Sequence, residues 1–188
     1  MEKCEALIIG GSAGSLDVLL KVLPDLYSVL SFPIVIVLHR KPGKESLLID
    51  LLSTKTKMTV KEIEEKEKLL SGMIYIAPPS YHVLIEQNKT FSLDASEKIN
   101  FSRPSIDVTF ESASEVFHDK LVCLLLSGAN SDGTKGLEKV KQMGGQTLVQ
   151  NPDSAMSRFM PEFALDHVDI DSVLMPGEMA NFINELSI

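Results

Sequence analysis

Two stretches of this chain are apolar without interruption, Ile34-Val35-Ile36-Val37-Leu38 and Leu121 to Leu126, and a third, Ala6-Leu7-Ile8-Ile9, lies near the N-terminus. Runs with no polar alternation are the mark of strands covered on both faces. Between them the apolar spacing changes to that of helices. A helix is expected over Leu16–Leu23, with Ser15 as its N-cap, Asp17 in its first turn and Pro24 as its stop. Leu47, Leu48, Leu51 and Leu52 place another in Glu45–Ser53. Ser105 caps a third that runs to about Phe117, with Asp107 near its positive end. Thr134 to Met143 is a fourth, stopped by Gly144-Gly145. Pro161 starts a fifth, and Gly177 to Leu186 forms the last. Shorter strands are expected at Met58–Ile63, Met73–Ala77, Gln146–Gln150 and Ser172–Leu174. Val83-Leu84-Ile85 and Thr90 to Leu93, on either side of Gln87-Asn88-Lys89, form a hairpin that extends the main sheet in antiparallel fashion. The alternation of strand and helix predicts an α/β fold: a doubly wound, mainly parallel sheet with helices on both faces and that small hairpin extension.

Composition narrows the class. With 188 residues, 44 % of them apolar, the chain can bury one substantial core, and a single domain over 1–188 is expected. No segment is apolar enough to span a membrane and no basic start precedes an apolar signal core, so a soluble cytoplasmic protein without membrane insertion is expected. A net charge of −8 with no basic stripe argues against nucleic acid as partner. Cys4 and Cys123 fall in or beside strand runs and read as buried, reduced thiols. Neither cysteine nor histidine clusters at ligand spacing, so no metal is expected.

Chemistry concentrates where the first strand stops. Gly10-Gly11-Ser12-Ala13-Gly14 has the Gly-x-Ser-x-Gly spacing of a strand-to-helix turn that lifts a serine hydroxyl out of the sheet. The helix beyond it offers unpaired N–H groups to a developing oxyanion. A dinucleotide fingerprint would need glycine where Ser12 and Ser15 stand, and a P-loop would need a terminal Gly-Lys-Ser/Thr; both are missing. In parallel sheets sites form at the carboxyl ends of strands. Three reactive residues fall at such ends: Ser12 after the first strand, His39 after Ile34–Leu38, and Asp132 after Leu121–Leu126. A nucleophile, a base and a carboxylate that orients the base make a serine-hydrolase set. Their order, Ser, His, Asp, is not that of the α/β-hydrolases.

These motifs occur in the order of a known family. The Ile9–Gly14 turn, Val37-Leu38-His39, Tyr75-Ile76-Ala77-Pro78, Arg103-Pro104-Ser105-Ile106-Asp107, Leu126-Ser127-Gly128 with Asp132-Gly133, and Gln150-Asn151 with Met160-Pro161 together resemble the catalytic domain of the bacterial chemotaxis methylesterase CheB, over nearly the whole length. The resemblance implies hydrolysis of glutamate γ-methyl esters on chemoreceptor signalling helices, with release of methanol, and deamidation of particular receptor glutamines. It implies Ser12, His39 and Asp132 as catalytic residues, backbone N–H groups of Ala13 and Ala129 as oxyanion donors, and no metal or organic cofactor. Several positions depart from the family pattern. Ala13 stands where threonine is frequent, Ala129 where methionine is, Ser15 where glycine is common, and Ala-Asn-Ser replaces the usual Met-Gly with a variable residue before Asp132. Backbone donors survive such exchanges, so the chemistry is expected to persist with altered substrate fit. No receiver domain precedes the domain in this sequence, so a stand-alone form is expected, open or regulated by a separate protein.

The competing expectations are a non-catalytic module that binds receptors or an anion at the Ser12 turn, and a small-molecule esterase on the same triad. His82, His118 and His167 are expected to be structural. Arg103 fits a substrate contact at the rim as well as a role at the helix start. An acidic chain sits awkwardly against acidic receptor helices, which puts weight on the local charge of the docking face.

Overall fold

A computed structural model describes residues 3–43 and 45–188. Its centre is a seven-stranded sheet built from β1 (Ala6–Gly11), β2 (Ile34–Leu38), β3 (Thr59–Glu62), β4 (Met73–Ile76), and, beyond a hairpin of β5 (His82–Ile85) and β6 (Phe91–Asp94), β7 (Leu121–Leu125), β8 (Gln146–Gln150) and β9 (Ser172–Leu174). The spatial order is β3-β4-β2-β1-β7-β8-β9, and every pairing in it is parallel. The helices are α1 (Ser15–Val22), α2 (Glu45–Ser53), α3 (Ile106–Phe117), α4 (Thr134–Gln142), α5 (Phe159–His167) and α6 (Pro176–Glu185). None of the described helices is long and apolar enough to cross a membrane.

Alternating residues of the apolar runs feed two cores. Leu7, Ile9, Ile34, Ile36, Val122 and Leu124 join Leu19 of α1 and Ile183 of α6 on one face. Ile8, Val35, Val37, Leu121, Cys123 and Leu125 join Phe110 of α3, Leu137 of α4 and Ala164 of α5 on the other. This is why the strands show no polar alternation: both of their faces are buried.

The hairpin departs from expectation. β5 and β6 pair with each other antiparallel, as the sequence predicts, but form a separate two-stranded sheet. The ribbon bonds instead to the charged loop that follows Glu62: Lys66 N–H donates to Phe91 O, Phe91 N–H to Glu67 O, and Leu69 N–H to Lys89 O. Its apolar side, with Val83, Ile85 and Phe91, closes the second core beneath α3. α5 also begins earlier than expected, at Phe159, with Pro161 in its first turn.

The central strand β1 lies between β2 and β7, and the sheet is built outward from it on both sides. Beyond their regular ends the three strands stay bonded: His39 N–H donates to Gly11 O, Leu126 N–H to Gly10 O and Ser12 N–H to Ser127 O. Ser12, His39 and the 127–133 loop are therefore gathered at the topological switch point, where open α/β sheets bind ligands.

Candidate active site

The Ser12 turn is held from both sides. Gly14 caps α1 with φ 83, and a Cβ there would lie 2.5 Å from the Met156 Cβ, so glycine is required on two counts. Ser15, expected as the N-cap, is instead the first residue of α1 and is fully buried. Its Oγ accepts from Ser12 N–H at 3.0 Å and donates to Ser127 O at 2.7 Å. A local cap has given way to a bond across the chain, because Gly14 in its left-handed conformation already makes the turn. Across from the serine, a Cβ on Gly128 would lie 3.1 Å from the Ser12 Cβ and 2.6 Å from Met160 Sδ. The Ser12 hydroxyl makes no hydrogen bond among the described residues.

His39 follows β2 and lines, with Ser12, Leu16 and Leu48, a pocket of about 280 Å³. Its Nε2 is 2.6 Å from Asp132 Oδ2. Its Nδ1 faces Ser102 Oγ at 3.3 Å, and Asn130 Nδ2 donates to that same hydroxyl at 3.3 Å. Asp132, in the loop before α4, is fully buried against the start of α3. Oδ2 also accepts from Ile106 N–H at 2.7 Å, while Oδ1 accepts from Ser105 Oγ at 2.9 Å and from the N–H groups of Asp107 and Gly133, each at 3.1 Å. Burial by itself would raise the pKa of this carboxyl; the His39 bond and the backbone donors of the helix start outweigh it and hold Asp132 below the usual aspartate value. An ionised Asp132 only accepts, so the ring proton sits on Nε2 and Nδ1 presents its lone pair.

Asp107, one turn into the same network, behaves differently. Its Oδ1 accepts from Gly133 N–H at 2.9 Å and Gly136 N–H at 2.8 Å, and its Oδ2 from Asn100 Nδ2 at 3.1 Å. Burial first, and then the neighbouring Asp132 charge, push it up to about 7. Two carboxyls so close do not both ionise freely. Ser105 caps α3 as expected, accepting from Val108 N–H, and its own N–H donates to His82 Nδ1 at 3.1 Å. His82 thereby braces the helix that carries the Asp132 donors, with Nε2 on Glu97 O at 2.9 Å. Arg103 donates to Ala95 O and Ser96 O, so its role is to tie down the loop before α3.

Ala13 and Ala129 are both exposed, and neither N–H has a hydrogen-bond acceptor among the described residues. They lie beside contacts that join the two loops: Ser127 Oγ donates to Ala13 O at 2.6 Å, and Gly128 packs on Ser12. Ser15, Ser102, Ser127, Asn130 and Ser157 are the participants that sequence reasoning misses. Small hydroxyl and amide residues in turns carry no signal of their own, and only their long-range partners mark them. No group of three or more His, Cys, Asp or Glu among the described residues is placed to hold a metal ion.

A family model described as CheB methylesterase matches residues 7–183. The chain belongs to the CheB methylesterase family. That CheB match runs from β1 into α6 and so takes in the Ser12 turn, His39 and the Asp132 loop. A Leptospira interrogans protein named for protein-glutamate methylesterase and protein-glutamine glutaminase activity is 46 % identical over 182 residues, covering 97 % of this chain and 94 % of that protein. The Thermotoga maritima protein-glutamate methylesterase/protein-glutamine glutaminase is 36 % identical over 183 residues; the match covers 96 % of this chain but 53 % of the relative. The crystal structure of the Thermotoga maritima CheB methylesterase catalytic domain superposes with a TM-score of 0.93 at 34 % identity, covering 97 % of this chain and 98 % of that one.

Proposed function

We propose that this CheB-family protein hydrolyses γ-methyl esters of glutamate on chemoreceptor signalling helices at the cytoplasmic face, with Ser12 as nucleophile. The single observation that carries the assignment of roles is the 2.6 Å bond between His39 Nε2 and a buried Asp132. It leaves Nδ1 as the ring nitrogen free to exchange a proton.

The chemistry then runs in two halves. Ser12 Oγ attacks the γ-carbonyl carbon as His39 Nδ1 takes its proton, and Asp132 stabilises the imidazolium. The carbonyl oxygen gathers negative charge, which the open N–H groups of Ala13 and Ala129 are available to receive. Collapse of the adduct breaks the ester C–O bond, and the imidazolium protonates the departing methoxide, giving methanol and an acyl-enzyme. Water, activated by the same imidazole, then releases glutamate and restores Ser12. A glutamine side chain would follow the same course with ammonia as leaving group, in keeping with the double name of the relatives. Substrate-free sites often hold the nucleophile–base bond long; here the Ser12 hydroxyl must take the place of Ser102 at Nδ1. A pure binding module gives no reason for an oriented imidazole beside a serine turn, and a small-molecule esterase is less in keeping with relatives named for protein side chains.

Methanol release from methylated receptor membranes tests this. The wild type should turn over and be labelled at Ser12 by a fluorophosphonate, while Ser12→Ala should do neither. Undiminished turnover in Ser12→Ala would reject the assignment.

A further inference from the structure

Beside the Ser12 pocket lies a second cleft of about 490 Å³, between residues 39–42 and 98–103. The two share His39, Arg40 and Lys41 as a common wall. The chain as a whole carries 26 acidic against 18 basic residues. Yet among the described residues the charged side chains that line this cleft, Arg40, Lys41, Lys98 and Arg103, are all cations. Arg40 is paired with Glu62 at 2.9 Å, and Arg103 serves backbone carbonyls. Lys41 and Lys98 are exposed and have no ion-pair partner among the described residues.

Phe101 stands at the tip of the far wall and is 96 % exposed. It sits in a two-residue turn, closed by Ile99 N–H to Ser102 O at 3.1 Å and Ser102 N–H to Ile99 O at 2.9 Å. Asn100 and Phe101 have φ of 49 and 63. Positive φ at both central positions is the geometry of a tight primed turn, which favours Asn and Gly. A bulky aromatic there is a genuine outlier. The chain thus holds a large ring in strained backbone, in water, one residue from the hydroxyl that touches His39 Nδ1. Strain kept at such a place is a mark of function.

We propose that this cleft is where the protein seats the acidic helical segment bearing the ester, with Phe101 as apolar anchor and Lys41 and Lys98 as the cations that meet its carboxylates. This rests on the methylesterase reading and adds the recognition surface to it. The occupant follows from charge and chemistry. Each turnover turns a neutral ester into a carboxylate, so the segment gains one negative charge with every ester it loses. A helix brings residues three and four apart onto one face, so carboxylates flank the ester at the spacing of neighbouring turns. The cationic cleft reconciles an acidic enzyme with an acidic substrate through local complementarity.

The test uses the full chain, with Lys41→Glu/Lys98→Glu and Phe101→Ala. On methylated receptor membranes the double variant should raise KM about tenfold with kcat little changed, and should flatten the salt dependence. Phe101→Ala should raise KM about threefold to tenfold. Both should still be labelled at Ser12 by a fluorophosphonate, which shows the machinery assembled. In a Ser12→Ala background, fluorescence anisotropy of a labelled glutamate-rich helical peptide should report the same loss of affinity without turnover. Peptide affinity and receptor KM unchanged by the charge reversal would overturn the proposal. So would binding to receptor-free anionic vesicles that the two variants abolish while peptide binding stays intact, since the occupant would then be a membrane surface. Peptide binding that depends on Lys41 and Lys98, with no methanol release from any receptor, would sink the methylesterase reading and leave the acidic-helix site standing.

Discussion

At the carboxyl ends of β1, β2 and β7 the chain buries Asp132 among five donors, three of them backbone N–H groups. Away from that rim, just before β1 and in the middle of β7, it buries Cys4 and Cys123, and no donor is aimed at either sulfur among the described residues. Cys4 only donates, to Ala6 O at 3.4 Å. Desolvation acts in both places. It is overcome at the first, where Asp132 stays below its ordinary pKa, and dominates at the second, where burial pushes the Cys4 thiol up to about 12 and Cys123 well above its usual value. Burial alone therefore does not say whether a group is charged; the orientation of nearby backbone dipoles does. The carboxyl end has those dipoles because helices begin there. In a parallel βαβ fold every helix that follows a strand points its N-terminus at that rim.

Asp107 is the intermediate case and sharpens the contrast. It too sits at a helix start, with two backbone donors, yet the Asp132 charge beside it leaves it near 7. The rim thus supports one full negative charge readily and a second only at higher pH. The signs follow. The folded pKa of Asp107 is raised, so its contribution to stability is complete below about pH 4 and is lost as pH rises toward and through 7. That of Asp132 is lowered, so its contribution is present above about pH 4 and is lost in more acidic solution.

The difference between the two regions can be broken by substitution, and the largest effect is expected at Asp132. Asp132→Asn should keep the fold but present the wrong donor to Nε2, lowering kcat for methanol release by about 10⁴-fold. A loss below tenfold would mean that the carboxylate does not orient the base. Next comes the turn that exposes Ser12. Gly14→Ala should cost about 2–3 kcal/mol in a urea titration, from the left-handed backbone and the Met156 contact. Asp107→Asn keeps an acceptor for Gly133 and Gly136 but removes the second charge. Its Tm should fall less than that of the wild type between pH 5 and pH 8, a relative gain of about 1–2 kcal/mol at the upper end. Equal pH slopes would remove the coupling between the carboxyls. The smallest effects are expected at the buried thiols. Cys123→Ala should cost about 1 kcal/mol and leave kcat unchanged. Both thiols should resist Ellman's reagent until denaturant is added; rapid labelling of native protein would show them less buried than the structure has them.

Much of the frame was legible from residue patterns because its cause is local. The uninterrupted runs at Ile34–Leu38 and Leu121–Leu125 announced strands covered on both faces, and Ser105 announced the start of α3. The errors have a common origin. Ser15 has every property of an N-cap, but its hydroxyl is drawn to Ser127, 112 residues away. The β5–β6 hairpin reads as an extension of the main sheet, yet its Lys89 and Phe91 bond instead to the backbone of the irregular, mostly exposed stretch after Glu62. In both cases a long-range hydrogen bond overrode a correct local preference.

By itself, then, the sequence determined the alternation of strands and helices, the serine turn and its family, and three reactive residues at strand ends. Periodicity, glycine placement and motif order act over a few residues and survive without knowledge of the fold. The tertiary structure decided that His39 meets Asp132 through Nε2, that Ser102 attends its other nitrogen, that Asp107 shares its charge problem with Asp132, and that Phe101 stands beside a cationic cleft in an acidic protein. Those relations join loops tens of residues apart, and no local preference encodes the register in which packed strands bring such loops together.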